Sequence, residues 1–147
     1  QFMHGAHLRQ VLPDYDIVID ATDQLENKFL INDVCVSAEK PFVHGGITGF
    51  SGQVMTYVPE KGPCYRCIFG EVPEDNAPAP IPVIGVTAGI IGTIQAAEAI
   101  RYLLGIPSLL TGKLLVLDGL RMQFRTVSFP HVSEHCPLHT RKGVTDL

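Results

Sequence analysis

The feature that most constrains the fold is a short apolar run that leads through an acidic turn into a segment with helical spacing. Residues 14–20, DYDIVID, place β-branched residues between acidic ones, which is typical of a buried strand in a parallel sheet. In the stretch that follows, Leu25, Phe29 and residues 31–34 recur at helical spacing, and Thr22 or Asp23 can cap the first turn. A strand, an acidic turn and a helix predict an α/β fold.

Two further pairs of strands are predicted. Residues 41–59, PFVHGGITGFSGQVMTYVP, contain a strand, a glycine-rich bend and a second strand. Residues 113–129, KLLVLDGLRMQFRTVSF, contain two strands around a turn in which we expect Asp118 to take part. The sheet should therefore be mixed, with antiparallel strands toward the C-terminus.

A second helix is predicted over residues 85–105, GVTAGIIGTIQAAEAIRYLLG. Only Gln95, Glu98 and Arg101 interrupt its apolar surface, so we expect this helix to be largely buried. Before it, residues 71–83 are rich in proline and acidic residues and are predicted to form a flexible crossing loop.

Length and composition limit the class of protein. A chain of 147 residues suits one domain, residues 1–147, with its own core. Its 11 basic residues against 15 acidic ones, without a basic patch interleaved with aromatic residues, argue against nucleic-acid binding. No stretch resembles a secretory signal or a membrane span, so we expect a soluble, cytoplasmic protein.

The cysteines point to a metal. Cysteines of a cytosolic chain are more often ligands or buried thiols than disulfides, which favours a metal for Cys64-Tyr-Arg-Cys67. The alternatives are two free thiols or a redox pair, which usually begins a helix after a strand, whereas CYRC follows a turn, PEKGP. Cys35 is predicted to be a small buried residue of the first helix. His44 could line a ligand cleft, but a hydrogen-bonded histidine in a strand is the commoner case.

Five motifs in conserved order along the chain together resemble one family. They are DYDIVIDATDQLENKFLIND with the strands that follow, CYRC, GIIGTIQAAEAIRYLLG, LLVLDGLRMQFRTVSF and HCPLH. From about Leu12 to about His139 the chain is similar to the C-terminal half of the ThiF/MoeB/HesA family, bacterial relatives of ubiquitin-activating enzymes. The resemblance implies a Rossmann-like α/β fold and a C-terminal part of an adenylation domain.

The resemblance also implies an activity. Members are ATP-dependent adenylyltransferases that convert the C-terminal glycine carboxylate of a ubiquitin-like sulfur-carrier protein into an acyl-adenylate, in thiamin, molybdopterin or related sulfur pathways. The family aspartate that binds Mg²⁺ matches Asp23, and nucleotide contacts are expected near Thr22, Gln24 and Lys28. The family usually has asparagine and arginine where Gln24 and Lys28 stand, and lysine lacks the two-pronged guanidinium. The family is usually dimeric, so a homodimer is expected.

The zinc ligands follow from the same resemblance. The family usually carries a second Cys-x-x-Cys near the C-terminus, and Cys136-Pro-Leu-His139 keeps that spacing. Cys64, Cys67, Cys136 and His139 would then form a structural zinc site with four ligands. His131, His135 or an empty fourth position are alternatives to His139.

Besides Gln24 and Lys28, two further features depart from the family pattern. No cysteine lies between Cys67 and Cys136, where many members carry one that forms a covalent bond to the partner. No Gly-x-Gly-x-x-Gly loop is present, and in the family this loop lies in the N-terminal half. We therefore expect the chain alone to be inactive. The alternative is a non-catalytic, zinc-stapled protein-binding module, and a dinucleotide-binding half-domain is disfavoured.

Overall fold

A computed structural model describes residues 5–72 and 82–139. Its helices are α1 (Gly5–Val11), α2 (Leu25–Ser37), α3 (Tyr65–Phe69) and α4 (Gly85–Leu103), with a 3-10 turn at Leu12–Asp14. Its strands are β1 (Val18–Asp20), β2 (Phe42–Thr48), β3 (Ser51–Tyr57), β4 (Lys113–Asp118) and β5 (Gln123–Ser128). All the helices and strands predicted from the sequence are present.

The five strands form one mixed sheet in the order β1-β2-β3-β4-β5. Strands β1 and β2 are parallel, with Val18 opposite Phe42 and Asp20 opposite His44. The other neighbours are antiparallel. The predicted α/β class, with a mixed sheet and antiparallel C-terminal strands, is confirmed.

Helices cover both faces of the sheet. Because side chains alternate along a strand, Phe42 and His44 of β2 face α2 and α3, whereas Val43 and Gly45 face α4. The approach of α4 is close at Gly45, where a Cβ atom would lie 2.4 Å from the Gln95 side chain. Glycine at this position therefore lets the helix pack directly on the middle of β2.

The turn between β2 and β3 is fixed to the start of α4. Gly49 has a φ of +53°, a left-handed conformation that glycine adopts without strain. Its N–H donates to the carbonyl oxygen of Pro82 at 2.7 Å, and its own carbonyl accepts from the Thr87 hydroxyl at 2.9 Å. The hairpin thus sets where α4 begins.

Helix α4 differs from an amphipathic surface helix, because its outer face is apolar and its buried face carries polar side chains. The expectation that it is largely buried was wrong: its buried residues are Thr87, Ile91, Gln95, Glu98 and Ala99. Its outer face carries large apolar side chains, with Val86 71% exposed, Ile100 and Leu103 each 56% and Leu104 69%. Gln95 and Glu98 of this helix point inward because they bond to strand and loop backbone.

Two further expectations concern the loops. Neither Thr22 nor Asp23 caps α2, since the N-cap residue is Gln24 and no side chain makes the capping hydrogen bond. The predicted crossing loop at residues 71–83 lies mostly outside the described residues.

Within the described ranges, no helix is both long enough and apolar enough to span a bilayer.

Candidate functional site

A buried charged group lies at the carboxyl end of β1. The Asp20 carboxylate is 1% exposed, and its Oδ2 lies 3.3 Å from the Lys28 Nζ of α2 and 2.9 Å from the His44 Nδ1 of β2. Lys28 also donates to the carbonyl oxygen of Gly45 at 2.7 Å. A buried carboxylate requires partners of this kind because it has lost its hydration.

The surroundings shift all three pKa values downward. Burial acts to raise the pKa of Asp20, but the His44 hydrogen bond and the Lys28 charge together lower it below its usual value. Burial lowers the pKa of Lys28, against the opposing effect of Asp20. Burial likewise lowers the pKa of His44. The group therefore holds one anion, one cation and a neutral imidazole whose proton lies on Nδ1, toward Asp20.

The other oxygen of Asp20 shapes the turn that follows β1. Oδ1 accepts hydrogen bonds from the Thr22 backbone N–H at 3.0 Å and from the Thr22 hydroxyl at 2.7 Å. Asp23, the predicted magnesium ligand, and Gln24 are exposed immediately after this turn. Asp23 thus stands at the carboxyl end of a parallel strand, just before a helix, where open α/β sheets bind ligands.

The ammonium group of Lys28 is directed into the core. We expected a nucleotide contact, and the structure directs its ammonium inward, onto Asp20 and the Gly45 carbonyl. An ammonium group has three N–H donors, so these two contacts leave one for a ligand. A nucleotide contact by Lys28 stays a prediction.

Helix α4 supports the same strand ends from the opposite face of the sheet. The Gln95 Nε2 donates to the carbonyl oxygen of Asp20 at 2.7 Å and to that of Val43 at 3.2 Å. Both backbone carbonyls therefore have partners, as buried carbonyls require. The end of β1 is held from both sides.

The structure also brings together the two distant Cys-x-x-Cys/His segments. The ligand atoms of Cys64, Cys67, Cys136 and His139 all lie within 4.8 Å of one another. The Cys64 Sγ is 3.7 Å from the Sγ atoms of both Cys67 and Cys136. His131 and His135, the alternatives to His139, are exposed and do not belong to this cluster.

This donor set fits zinc. Three sulfur atoms and one imidazole nitrogen are a common tetrahedral set for a structural zinc ion. The His139 Nε2 is buried without a hydrogen-bond partner, as expected for an atom that coordinates a metal. The hydrogen bond from the Cys64 thiol lowers the pKa of Cys67 to about 5, so at least one ligand is a thiolate at neutral pH. The four residues could therefore bind zinc.

The CYRC pair follows a turn, as predicted, but it also begins a short helix, because Cys64 is the N-cap residue of α3. The turn before the pair therefore does not exclude a redox pair. The metal interpretation now depends on Cys136 and His139, which complete a four-ligand set. Cys35 is fully buried and burial raises its pKa to about 12, which confirms its prediction as a small core residue.

The cysteine cluster packs against the same core as Asp20. Tyr65, which lies between the two cysteines of α3, places its ring centroid 4.6 Å from that of His44. Its backbone N–H donates to the Asn32 Oδ1 at 2.8 Å. Arg66 forms a two-pronged ion pair with Asp33, with distances of 2.6 Å and 2.8 Å. Helix α2 therefore anchors both the cluster and the carboxylate group.

Asp20 was not predicted to be a site residue. The sequence indicated only that this acid ends a strand, and a hydrogen bond was expected for His44 without a named partner. An acid directly after an apolar run, with a lysine eight positions on, was the available signal. The parallel pairing of β1 and β2, which places His44 beside Asp20, comes from tertiary structure.

Known proteins resemble the chain in sequence. A model of the ThiF family matches residues 1–138. The SAMP-activating enzyme E1 of Haloferax volcanii is 40% identical over 148 residues, which are 97% of this chain and 53% of that protein. The adenylyltransferase and sulfurtransferase MOCS3 of Culex quinquefasciatus is 38% identical over 129 residues, 86% of this chain and 30% of that protein. The chain thus spans about half or less of these relatives.

Solved structures resemble it in fold. E. coli MccB with ATP superimposes with a TM-score of 0.75 at 20% identity, covering 92% of this chain and 42% of that one. The microcin C7 biosynthetic enzyme MccB with N-formylated MccA gives a TM-score of 0.78 at 18% identity, covering 94% and 44%. At this level of identity the likeness establishes the fold alone.

We predict that His44 makes the stability of the protein depend on pH. Because its pKa is lowered from 6.5 in the folded protein, the unfolded chain alone takes up a proton below that pH. Stability should therefore fall as pH decreases below about 6.5, by up to about 1.4 kcal/mol per pH unit. In His44→Asn, which keeps a donor near the Nδ1 position, the slope between about pH 6.5 and 5 should be shallower by this amount.

Urea denaturation at several pH values measures this slope. The matched control is His7→Asn, whose side chain is exposed on α1, and it should keep the wild-type slope. Equal slopes in the wild type and His44→Asn would contradict the assignment of a neutral buried imidazole.

Proposed function

Because the chain belongs to the ThiF family, we propose that it is part of an ATP-dependent adenylyltransferase that activates the C-terminal glycine carboxylate of a ubiquitin-like sulfur-carrier protein. The position of Asp23 carries this proposal: an exposed carboxylate at the end of β1 and before α2. The SAMP-activating and MOCS3 relatives and the MccB complex with ATP support it. The pathway would be thiamin, molybdopterin or related sulfur transfer.

The reaction is a nucleotidyl transfer. A carboxylate oxygen of the carrier's terminal glycine forms a bond to the α-phosphorus of ATP, and the bond from that phosphorus to the bridging oxygen breaks. Pyrophosphate leaves and the carrier ends in an acyl-adenylate. When bound, Mg²⁺ neutralises phosphate charge.

The residues near Asp23 suit such a ligand. A magnesium ion is usually held by one or two carboxylates together with substrate phosphates, and Asp23 offers one exposed carboxylate. Thr22 and Gln24 flank it, and we propose them with Lys28 as nucleotide-side residues. The chain's own contribution is to orient Asp23 and to place the N-terminus of α2 beside it, which favours phosphate.

We further propose that Cys64, Cys67, Cys136 and His139 bind a structural zinc ion. Four protein ligands leave no open position for water, so the ion would hold the fold and take no part in the chemistry. Its contribution would be to fix the C-terminal segment on α3.

We also propose a homodimer, formed by the outer face of α4. Val86, Ile100, Leu103 and Leu104 are more than half exposed there, and Gly89 and Gly92 between them have open space above their Cα atoms. A twofold axis would bring the same apolar face of two copies together, and the small residues would let the helices approach closely.

Loss of Asp23 should abolish adenylation. In the natural polypeptide that contains this chain, Asp23→Ala should reduce carrier-dependent exchange between ATP and pyrophosphate by about 100-fold or more, because phosphate charge is no longer neutralised. The control is Asp16→Ala, which removes an exposed acid before the other end of β1 and should keep the wild-type rate. Carrier binding without exchange in the wild type would instead favour the non-catalytic binding module.

Zinc binding should require His139 and not its neighbour. We expect one zinc ion per chain by elemental analysis, and His139→Asn should weaken the zinc affinity by about tenfold or more because it removes the nitrogen ligand. His135→Asn, which alters an exposed histidine outside the cluster, should bind zinc like the wild type. Equal affinities in the two variants would exclude His139 as a ligand.

The dimer should depend on the outer face of α4. Ile100→Glu should raise the dimer dissociation constant by about tenfold or more, since it places a charge in an apolar contact. Leu120→Glu is the matched control, because Leu120 is 74% exposed but lies beyond β4. Analytical ultracentrifugation measures both, and a wild type that stays monomeric at about 100 µM, where even weak interfaces associate, would contradict the proposal.

A further inference from the structure

We propose that Asp20 is a positioning residue, whose buried carboxylate fixes the turn carrying Asp23 and thereby sets the affinity of Asp23 for magnesium. The inference rests on the proposed function, since it takes Asp23 as a magnesium ligand. Asp20 itself touches no substrate in this scheme, because its side chain is 1% exposed and faces the core.

The two carboxylate oxygens of Asp20 have different partners. Oδ1 faces the turn and accepts two hydrogen bonds from Thr22, one from its backbone N–H and one from its hydroxyl. Thr22 and Asp23 share a peptide bond, so the direction in which Asp23 leaves the strand follows from the orientation of Thr22. Hydrogen bonds to a charged acceptor are stronger than those to a neutral one, which makes the ionised form of Asp20 the effective one.

The Asp20 Oδ2 holds the carboxylate in place. It lies 2.9 Å from the His44 Nδ1 and 3.3 Å from the Lys28 Nζ. Lys28 is itself fixed by the Gly45 carbonyl at 2.7 Å, and His44 by the ring of Tyr65. The carboxylate therefore cannot rotate toward the turn or away from it without losing charged partners in the core.

The backbone of Asp20 is fixed as well. The Gln95 side chain of α4 donates to its carbonyl oxygen at 2.7 Å, and β1 pairs with β2 through Asp20 and His44. Both the main chain and the side chain of the residue that starts the turn are thus held. A metal ligand on such a support is preorganised, so binding does not have to order it.

The test compares two buried carboxylates with closely similar partners. Asp20 bonds to a threonine hydroxyl, a backbone N–H and a cationic side chain. Glu98 of α4 likewise accepts from the Thr56 hydroxyl and the Leu110 N–H, each at 2.7 Å, and pairs with Arg101. Glu98 lies far along the chain from the Asp23 turn, and these hydrogen-bond and ion-pair partners do not belong to that turn. Asp20→Asn and Glu98→Gln therefore impose the same chemical change at two places.

Two measurements on the natural polypeptide separate positioning from general destabilisation. In Asp20→Asn, the Mg²⁺ concentration for half-maximal ATP–pyrophosphate exchange should rise by about tenfold, the effect of weakening hydrogen bonds to a charged group. The rate at saturating Mg²⁺ should recover to within about threefold of the wild type, because the loss is one of binding. Without nucleotide or magnesium, hydrogen exchange of the Thr22 amide should accelerate by about tenfold. Glu98→Gln should change neither quantity.

The outcomes separate the inference from the proposed function. Equal magnesium shifts in Asp20→Asn and Glu98→Gln, or a lower rate with no magnesium shift, would overturn the positioning role. A wild type without exchange would end the adenylation proposal, and the Thr22 amide would still report whether Asp20 fixes the turn.

If Asp20→Asn does not fold, His44 variants provide the test. His44→Leu removes one donor to the Asp20 Oδ2 and should shift the magnesium dependence in the same direction. His44→Asn, which restores a donor near Nδ1, should recover the wild-type dependence. No difference between these two variants would overturn the inference.

Discussion

The structure depends on how one buried negative charge is satisfied at the end of β1. Asp20 lies in the core with Lys28 and a neutral His44, so the group has no net charge and each polar atom has a partner. Such a group adds little to stability compared with apolar packing, but removal of one partner leaves an uncompensated charge. The group therefore favours the arrangement of α2, β1 and β2 that pairs these three residues over arrangements that leave one of them unpaired.

The orientation of α4 follows from the same strand ends. The carbonyl oxygens of Asp20 and Val43 lie on the face that α4 covers, and they require donors. Gln95 supplies these donors. Three residues later in the helix, Glu98 accepts from the Thr56 hydroxyl and the Leu110 backbone N–H. Because these polar residues face the sheet beside Ile91 and Ala99, other apolar residues, Val86, Ile100 and Leu103, are left on the outer face of α4. Exposure of this apolar outer face to water is unfavourable, and association with a second copy would bury it.

The sequence predicted those parts of the structure that local periodicity determines. The spacing of Leu25 and Phe29 predicted α2, and the glycine-rich bend after β2 predicted the hairpin to β3. The outward face of α4 could not be predicted, because it depends on which carbonyl oxygens the helix covers. Asp20 was missed for a similar reason, since an acid after an apolar run has the same pattern in a surface turn and in a core. The Cys and His cluster was expected only through family resemblance, and the structure brings those four residues together.

The C-terminal segment has little apolar packing of its own to hold it in place. Of residues 131–139, Cys136 alone is classed as buried, so apolar packing can hold little of this segment against the rest of the chain. Cys64 and Cys136 are 72 positions apart, but the pairing of β3 with β4 and of β4 with β5 already returns the chain as far as residue 128. The cost that remains is the conformational entropy of ordering the segment after β5. A metal bound by ligands from both ends would supply that free energy at one point. That point is α3, whose Tyr65 packs on His44, so the segment is joined to the same core that holds the Asp23 turn.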